Sequence, residues 1–137
     1  MAQFTSAFVG EPELLKALEP HSHPVDLSQR QILFHEGEPS VGVYILRSGA
    51  ARLTSHSAEL GEVLDVLAAP GSLLGIPAVV GAKAYSLRAD ALEGAEVAFV
   101  SSQDFVNLMQ TQPQLSFQVV RVLAEEVRFA RETVGRL

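Results

Sequence analysis

The period of the apolar positions changes twice along the chain and divides it into three stretches. In EPELLKALE, residues 11–19, Leu14, Leu15 and Leu18 share one helical face, with Pro12 placed for a first turn and Pro20 for a stop. This spacing predicts a short N-terminal helix. HSHP, residues 21–24, reads as a connector. From Val25 to Ser101 short β-type runs alternate with Gly, Ser and Pro, which predicts strands near 25–27, 31–34, 41–47, 50–55, 62–67, 84–91 and 95–101. In VGVYILRSGAARLTS the turn falls at Ser48-Gly49, a dipeptide suited to positive φ. Val43 and Ile45 alternate there with Tyr44 and Leu46. Both faces of that strand are therefore apolar, as in a strand held between two layers. Many short strands at this spacing predict a mainly β fold, a barrel or a roll.

From Ser102 the pattern is helical to the end. SSQDFVNLMQTQ predicts a helix with Ser101 or Ser102 as N-cap and an acidic first turn. Pro113 opens a second helix that runs for about 25 residues, roughly 37 Å. That helix carries two apolar seams. Val120, Leu123, Val127, Ala130, Val134 and Leu137 follow one another at steps of 3, 4, 3, 4 and 3 residues, the a/d pattern of a helix facing another helix. A second seam runs through Leu115, Val119, Val122 and Phe129 and is interrupted by Glu126. One seam can pack on the chain's own β body, and the other then needs a partner. A homodimer through the first seam is expected, with parallel helices if a two-fold axis runs along them. Arg121–Glu125, Arg128–Glu132 and Glu132–Arg136 stand at i,i+4 on the remaining face and are expected to pair.

Composition narrows the function classes. The 137 residues suit a single domain, and a hydrophobic fraction of 47% with 19% charged residues suits a packed core. A net charge of −6 argues against non-specific nucleic-acid binding, which needs a Lys/Arg surplus. With no cysteine, disulfides, thiolate metal sites and a cysteine nucleophile are excluded. No signal peptide or membrane-length apolar run is visible, so a cytoplasmic location without membrane association is expected. No nucleophile motif or phosphate-binding glycine loop is present, so neither catalysis nor a cofactor is expected.

One loop invites a binding reading. PGSLLGIPAVVG, residues 70–81, is bounded by glycine and almost wholly apolar, with a proline where a short helix would start. An apolar loop in mid-chain covers or lines something.

The order of helix, β-roll and long helix, together with LFHEGEPSVGVYILRSGAARL at 33–53, LAAPGSLLG at 67–75 and LRADALEGAEVAFVSSQDFVNLM at 87–109, resembles the cyclic nucleotide-binding domain of the Crp/Fnr regulators. Gly37-Glu38, Gly49, and Pro70, Gly71 and Gly75 match that family's turn, hairpin and pocket-entry positions. The resemblance covers residues 11–137. It implies an antiparallel double-stranded, jelly-roll-like β-roll (25–101) between an N-terminal helix (11–19) and C-terminal helices (102–137) that dimerise. It also implies a role in signal transduction or transcription regulation, and it makes the 70–81 loop a phosphate-binding cassette.

In nucleotide-binding members the cassette supplies a glutamate for the ribose and an arginine for the cyclic phosphate, a charge-assisted contact. Aligned on Gly75, the glutamate position holds Ile76, followed by Pro77, which lacks an N–H, and Ala78. The arginine-serine pair falls on Tyr85-Ser86. The cassette is therefore degenerate, and ordinary cAMP or cGMP binding is not expected. The resemblance leaves a pocket lined by Leu74, Ile76, Val79, Tyr85 and Ser86, with Arg128 or Arg131 of the last helix above it. It would suit an apolar or aromatic small molecule.

Three alternatives stand beside this. Arg88, two residues after Ser86 and on the same strand face, replaces the missing arginine and restores cyclic nucleotide binding. The pocket side chains fill the site, and the domain is a structural protein-interaction module. His21 and His23, spaced as in a cupin, bind a metal with a third ligand; without such a ligand, no metal is expected. Regulators of the family carry a helix-turn-helix domain after the dimer helix, and the sequence ends within that helix. Direct DNA binding by this chain is therefore not expected, and its partners are a second copy, a small molecule or another protein.

Overall fold

The computed structural model describes residues 2–135. A three-residue strand β1 (Gln3–Thr5) is followed by helix α1 (Pro12–Leu18) and a 3-10 turn (Glu19–His21). Then come β2 (His23–Pro24), β3 (Ile32–Phe34), β4 (Gly42–Ser48), β5 (Ala51–Ser57), β6 (Gly61–Ala68) and β7 (Leu73–Leu74). Helix α2 (Ile76–Gly81), β8 (Arg88–Ala91), β9 (Glu96–Ser101), α3 (Ser102–Thr111) and α4 (Pro113–Gly135) complete the chain. The strands form two sheets, one ordered β1-β6-β5-β8-β3 and the other β2-β9-β4-β7. All pairings are antiparallel except β1 with β6. This is the double-sheeted β-roll with flanking helices that the resemblance implies, within the barrel or roll that the strand spacing predicts.

The doubly apolar strand explains the layering. Tyr44 and Leu46 of β4 join Leu33, Phe34, Leu53, Ala89 and Val97 in a core between the sheets. Val43 and Ile45, on the other face, join Leu14, Leu18, Phe105, Leu115 and Val119 in a second core beneath the helices. Each Val, Leu, Ile or Phe side chain so buried contributes about 1.5–3 kcal/mol by leaving water. The β4–β5 hairpin turns at Gly49, at φ +80°, where a Cβ would lie 2.7 Å from Ala95 Cα. At the start of α3 the Ser101 hydroxyl accepts from the Asp104 N–H at 3.1 Å, the predicted cap.

Three local expectations are corrected. The strand expected at 25–27 lies at His23–Pro24, within the predicted connector; Val25 donates its N–H to Val97 O at 2.9 Å and packs against the core. The run expected at 84–91 becomes a strand only from Arg88. Before it, Tyr85 exchanges backbone bonds with the turn at Gly37 and Glu38, its N–H donating to Glu38 O and its carbonyl accepting from Gly37. Strand β1 was not predicted. It has no alternating apolar pattern, and Phe4 is exposed; it forms by adding an edge to β6.

The two seams of helix α4 differ in burial. Leu115, Val119 and Val122 are buried against the body and Phe129 is partly buried, whereas Val120, Val127 and Val134 are 55%, 49% and 64% exposed. Ala130 is exposed and Leu123 half-buried; Leu137, the last member of the outer seam, lies outside the described residues. The expected Arg121–Glu125 pair is replaced by a contact across to α1, in which Arg121 meets Glu11 at 3.1 Å while its guanidinium lies 5.1 Å from the Phe117 ring centroid. Arg128 approaches Glu125, at 4.0 Å, rather than Glu132. The Glu132–Arg136 pair falls partly outside the described residues.

No helix among the described residues is long and apolar enough to cross a membrane.

Candidate functional site: a sealed cassette and an open cleft

The cassette is built from β7, Gly75 and α2. Gly75 has φ +100°, and a Cβ there would stand 2.8 Å from Cε1 of Tyr85. Glycine is thus required twice, for the left-handed backbone and for the approach of the ring. Tyr85 is 2% exposed. Its ring stacks on Phe34 with centroids 3.9 Å apart and planes 14° from parallel. Its hydroxyl donates to Gly42 O at 2.6 Å and accepts from the N–H groups of Val41 and Gly42 at 3.1 and 3.2 Å. Every hydrogen-bonding position of the phenol is used, so the side chain is a structural plug. Beside it remains a void of about 20 Å³, room for about one water.

The predicted ligand residues separate into groups. Leu74, Gly75, Pro77, Ala78, Tyr85 and Ser86 come together around that void. Ile76 and Val79 do not; both belong to the core beneath the helices. The reversal at Gly75 sends the first side chain of α2 to the opposite layer. Arg88 is bonded to Asp90 through Nε and Nη2, at 2.9 and 3.0 Å, and its side chain is 43% exposed. It lines neither the void nor the cleft described next. Arg128 and Arg131 are exposed and also do not reach it.

The larger space lies next door. A cleft of about 370 Å³ opens between α4 and the roll. One wall is Val63 and Leu64 of β6 with Leu87, and the other is Leu123, Val127 and Phe129 of α4. The Phe8 ring meets Phe129 edge-on at 6.0 Å. Among the described residues that line it, the polar side-chain groups are the hydroxyls of Ser55, Ser86 and Thr133 and the carboxyl of Glu126. Glu126 lines both the cleft and the small void, and its Oε2 is buried without a hydrogen-bond partner. Burial alone pushes its carboxyl up to about 8.

Glu126 is the site residue that sequence reasoning missed. The signal was present: it occupies the step between Val122 and Phe129 on the inward seam, where an apolar residue is due. Among the described residues, no group of three or more His, Asp or Glu is placed to hold a metal ion, and His23 is an exposed residue of β2.

A double-sheeted roll, entered at a glycine-led short helix and crossed by a long C-terminal helix, defines a class of regulatory domain. The sequence profile described as cyclic nucleotide-binding domain matches residues 24–112. The chain belongs to that family, within the Crp/Fnr group. It is 25% identical over 127 residues to a CRP-like cAMP-activated global transcriptional regulator of Mycobacterium tuberculosis, covering 93% of this chain and 57% of that protein. The fold matches the catabolite activator protein of Thermus thermophilus with a TM-score of 0.72 and 22% identity, over 91% of this chain and 59% of the other. It also matches the sensor domain of the transcriptional regulator DNR from Pseudomonas aeruginosa, with a TM-score of 0.64 and 18% identity, over 89% and 82%. The chain thus spans little more than half the length of the M. tuberculosis regulator.

Proposed function

We propose that this chain is a non-catalytic sensor domain for transcription regulation that does not bind cAMP or cGMP through its cassette. In this reading it takes a small ligand in the cleft beneath α4 and assembles as a homodimer through the outer seam of that helix. The observation that carries the reading is Tyr85. At the position where the resemblance puts the phosphate-pairing arginine stands a fully bonded aromatic plug, and the space beside it holds no more than about one water. Replacing a cation by this plug removes the charge-assisted contact to a cyclic phosphate. The open volume and the outer seam both lie along α4, so a ligand in the cleft touches the helix that carries the dimer contact. Differential binding to two helix arrangements is what a ligand needs to act as a signal.

Two other readings make contact with the structure. Cyclic nucleotide binding through Arg88 would require its guanidinium to leave Asp90 and reach a void it does not line. A purely structural module is favoured by the filled cassette, and the open cleft weighs against it.

Thermal unfolding with millimolar cAMP, cGMP and cyclic dinucleotides tests the main reading. A ligand at about 100 times its dissociation constant adds about 2.7 kcal/mol, several degrees for a domain of this size. No shift is expected with any of the three. A clear shift with cAMP would overturn the proposal and restore the cassette as the site.

A further inference from the structure

We infer that the cleft beneath α4 selects an organic cation, a primary or secondary amine on an aromatic or branched apolar body, with Glu126 as its counter-ion. The inference rests on the reading that this cleft is the ligand site, and adds to it the chemistry of the ligand.

Four elements line the cleft together with Glu126. Strand β5 contributes Ser55, β6 contributes Val63 and Leu64, the segment before β8 contributes Ser86 and Leu87, and α2 contributes Pro77. From α4 itself come apolar side chains and Thr133. Among the described residues that line the cleft, Glu126 is the one titratable side chain and none is a lysine or arginine. A buried carboxyl oxygen without a donor is costly to keep, because it has lost water and gained nothing. The buried phenol oxygen of Tyr85, by contrast, has its partners. Oε2 of Glu126 is buried and unpartnered, and the residue lines an apolar space of the size that small ligands occupy.

Charge then decides among ligand classes. An anion, whether a carboxylate or a cyclic phosphate, would enter a low-dielectric space with a carboxyl and no cation. A neutral alcohol would fill the volume and share one hydrogen bond. An ammonium group would form a charge-assisted bond to Glu126, while its apolar body covered Leu64, Leu87 and Leu123. The raised carboxyl gives this pairing a proton signature: empty, Glu126 holds a proton near neutral pH. When the ammonium enters, that proton is released to solvent and the ion pair remains.

The test uses 2-phenylethylamine, with 2-phenylethanol and 3-phenylpropionate as isosteres, by titration calorimetry on the whole chain. The amine is expected to bind at least about tenfold more tightly than either isostere near pH 7.5, and its affinity is expected to rise by more than about tenfold from about pH 6 to about pH 7.5. Wild-type protein at about pH 6.5, in buffers of different ionisation enthalpy, is expected to release close to one proton per amine bound, a readout that needs no variant. Glu126→Gln is expected to lose about tenfold in amine affinity together with the pH dependence, and to leave the alcohol unaffected. Equal binding of alcohol and amine, without proton release, would overturn the cation assignment and leave the cleft as a ligand site. If no probe binds and the methyl resonances of Leu64 and Leu123 stay unmoved, both the assignment and the cleft reading fall.

Discussion

Two neighbouring spaces in this molecule have been treated in opposite ways. Beneath the cassette, a position that would carry a cation in a nucleotide-binding relative holds Tyr85, and the surrounding backbone satisfies its hydroxyl completely. Beneath α4, a position that would complete an apolar seam holds Glu126, and one of its oxygens is satisfied by nothing. The first space is closed by packing and hydrogen bonding; the second stays open around an unmet polar group. A cavity next to a saturated side chain adds nothing but packing, whereas a cavity next to an unmet carboxyl stores a preference for whatever supplies a partner.

The contrast breaks most visibly at the plug. Tyr85→Ala removes the ring stacked on Phe34 and the anchor of the Val41–Gly42 backbone. Its expected cost is about 3–5 kcal/mol in denaturant unfolding, the range for deleting a buried aromatic. Tyr85→Phe keeps the ring and leaves the Gly42 groups without their phenol partner, so about 1–3 kcal/mol is expected. The two variants together divide the plug into its packing and its hydrogen bonds. If Tyr85→Ala cost less than about 1 kcal/mol, the ring would not be holding the cassette shut.

An effect with a definite sign, smaller for each pH unit, is expected at Glu126. Burial pushes its carboxyl up to about 8 in the folded chain, from an ordinary value of 4.5. Between those values the folded state holds a proton that the unfolded chain has released. Stability is therefore greatest below the unfolded value and is lost as pH rises towards about 8, by at most about 1.4 kcal/mol per pH unit. Glu126→Leu, similar in size and without the charge, is expected to remove that slope and to unfold at higher temperature than the wild type near pH 8. A pH slope unchanged in the variant would mean that water reaches the carboxyl in solution, and the contrast between the two spaces would weaken.

Much of this was written in short-range pattern. The doubly apolar β4, the Ser101 cap and the two seams of α4 follow from periodicities within a few residues, and periodicity is what a linear sequence displays. The fate of Tyr85 was not legible. Its partners are Phe34, Val41 and Gly42, some 43 residues or more away, and nothing local distinguishes an inward tyrosine from one lining an open site. Ile76 was misplaced for a related reason: the positive φ at Gly75 turns it into the layer beneath the helices, a reversal that residue types alone do not reveal. Glu126 broke a visible seam, but its burial depends on how far the roll extends under α4, which is set by tertiary packing.

The smallest effect on the fold is expected where neither space is touched, and that makes it the cleanest probe of assembly. Val120 lies on the outer seam of α4, is 55% exposed and does not line the cleft, whereas Leu123, Val127, Ala130 and Val134 of the same seam do. Val120→Glu therefore leaves the cassette, the cleft and the core intact, and unfolding of the monomer is expected to change by no more than about 0.5 kcal/mol. In a homodimer with this seam at its centre, the same substitution sets two carboxylates opposite each other in an apolar contact. Sedimentation analysis is then expected to show dimer in the wild type and monomer in the variant. A variant that still sediments as a dimer would move the interface off the seam. The residues of α4 along the cleft would then answer to the ligand alone, without a partner helix to read their displacement.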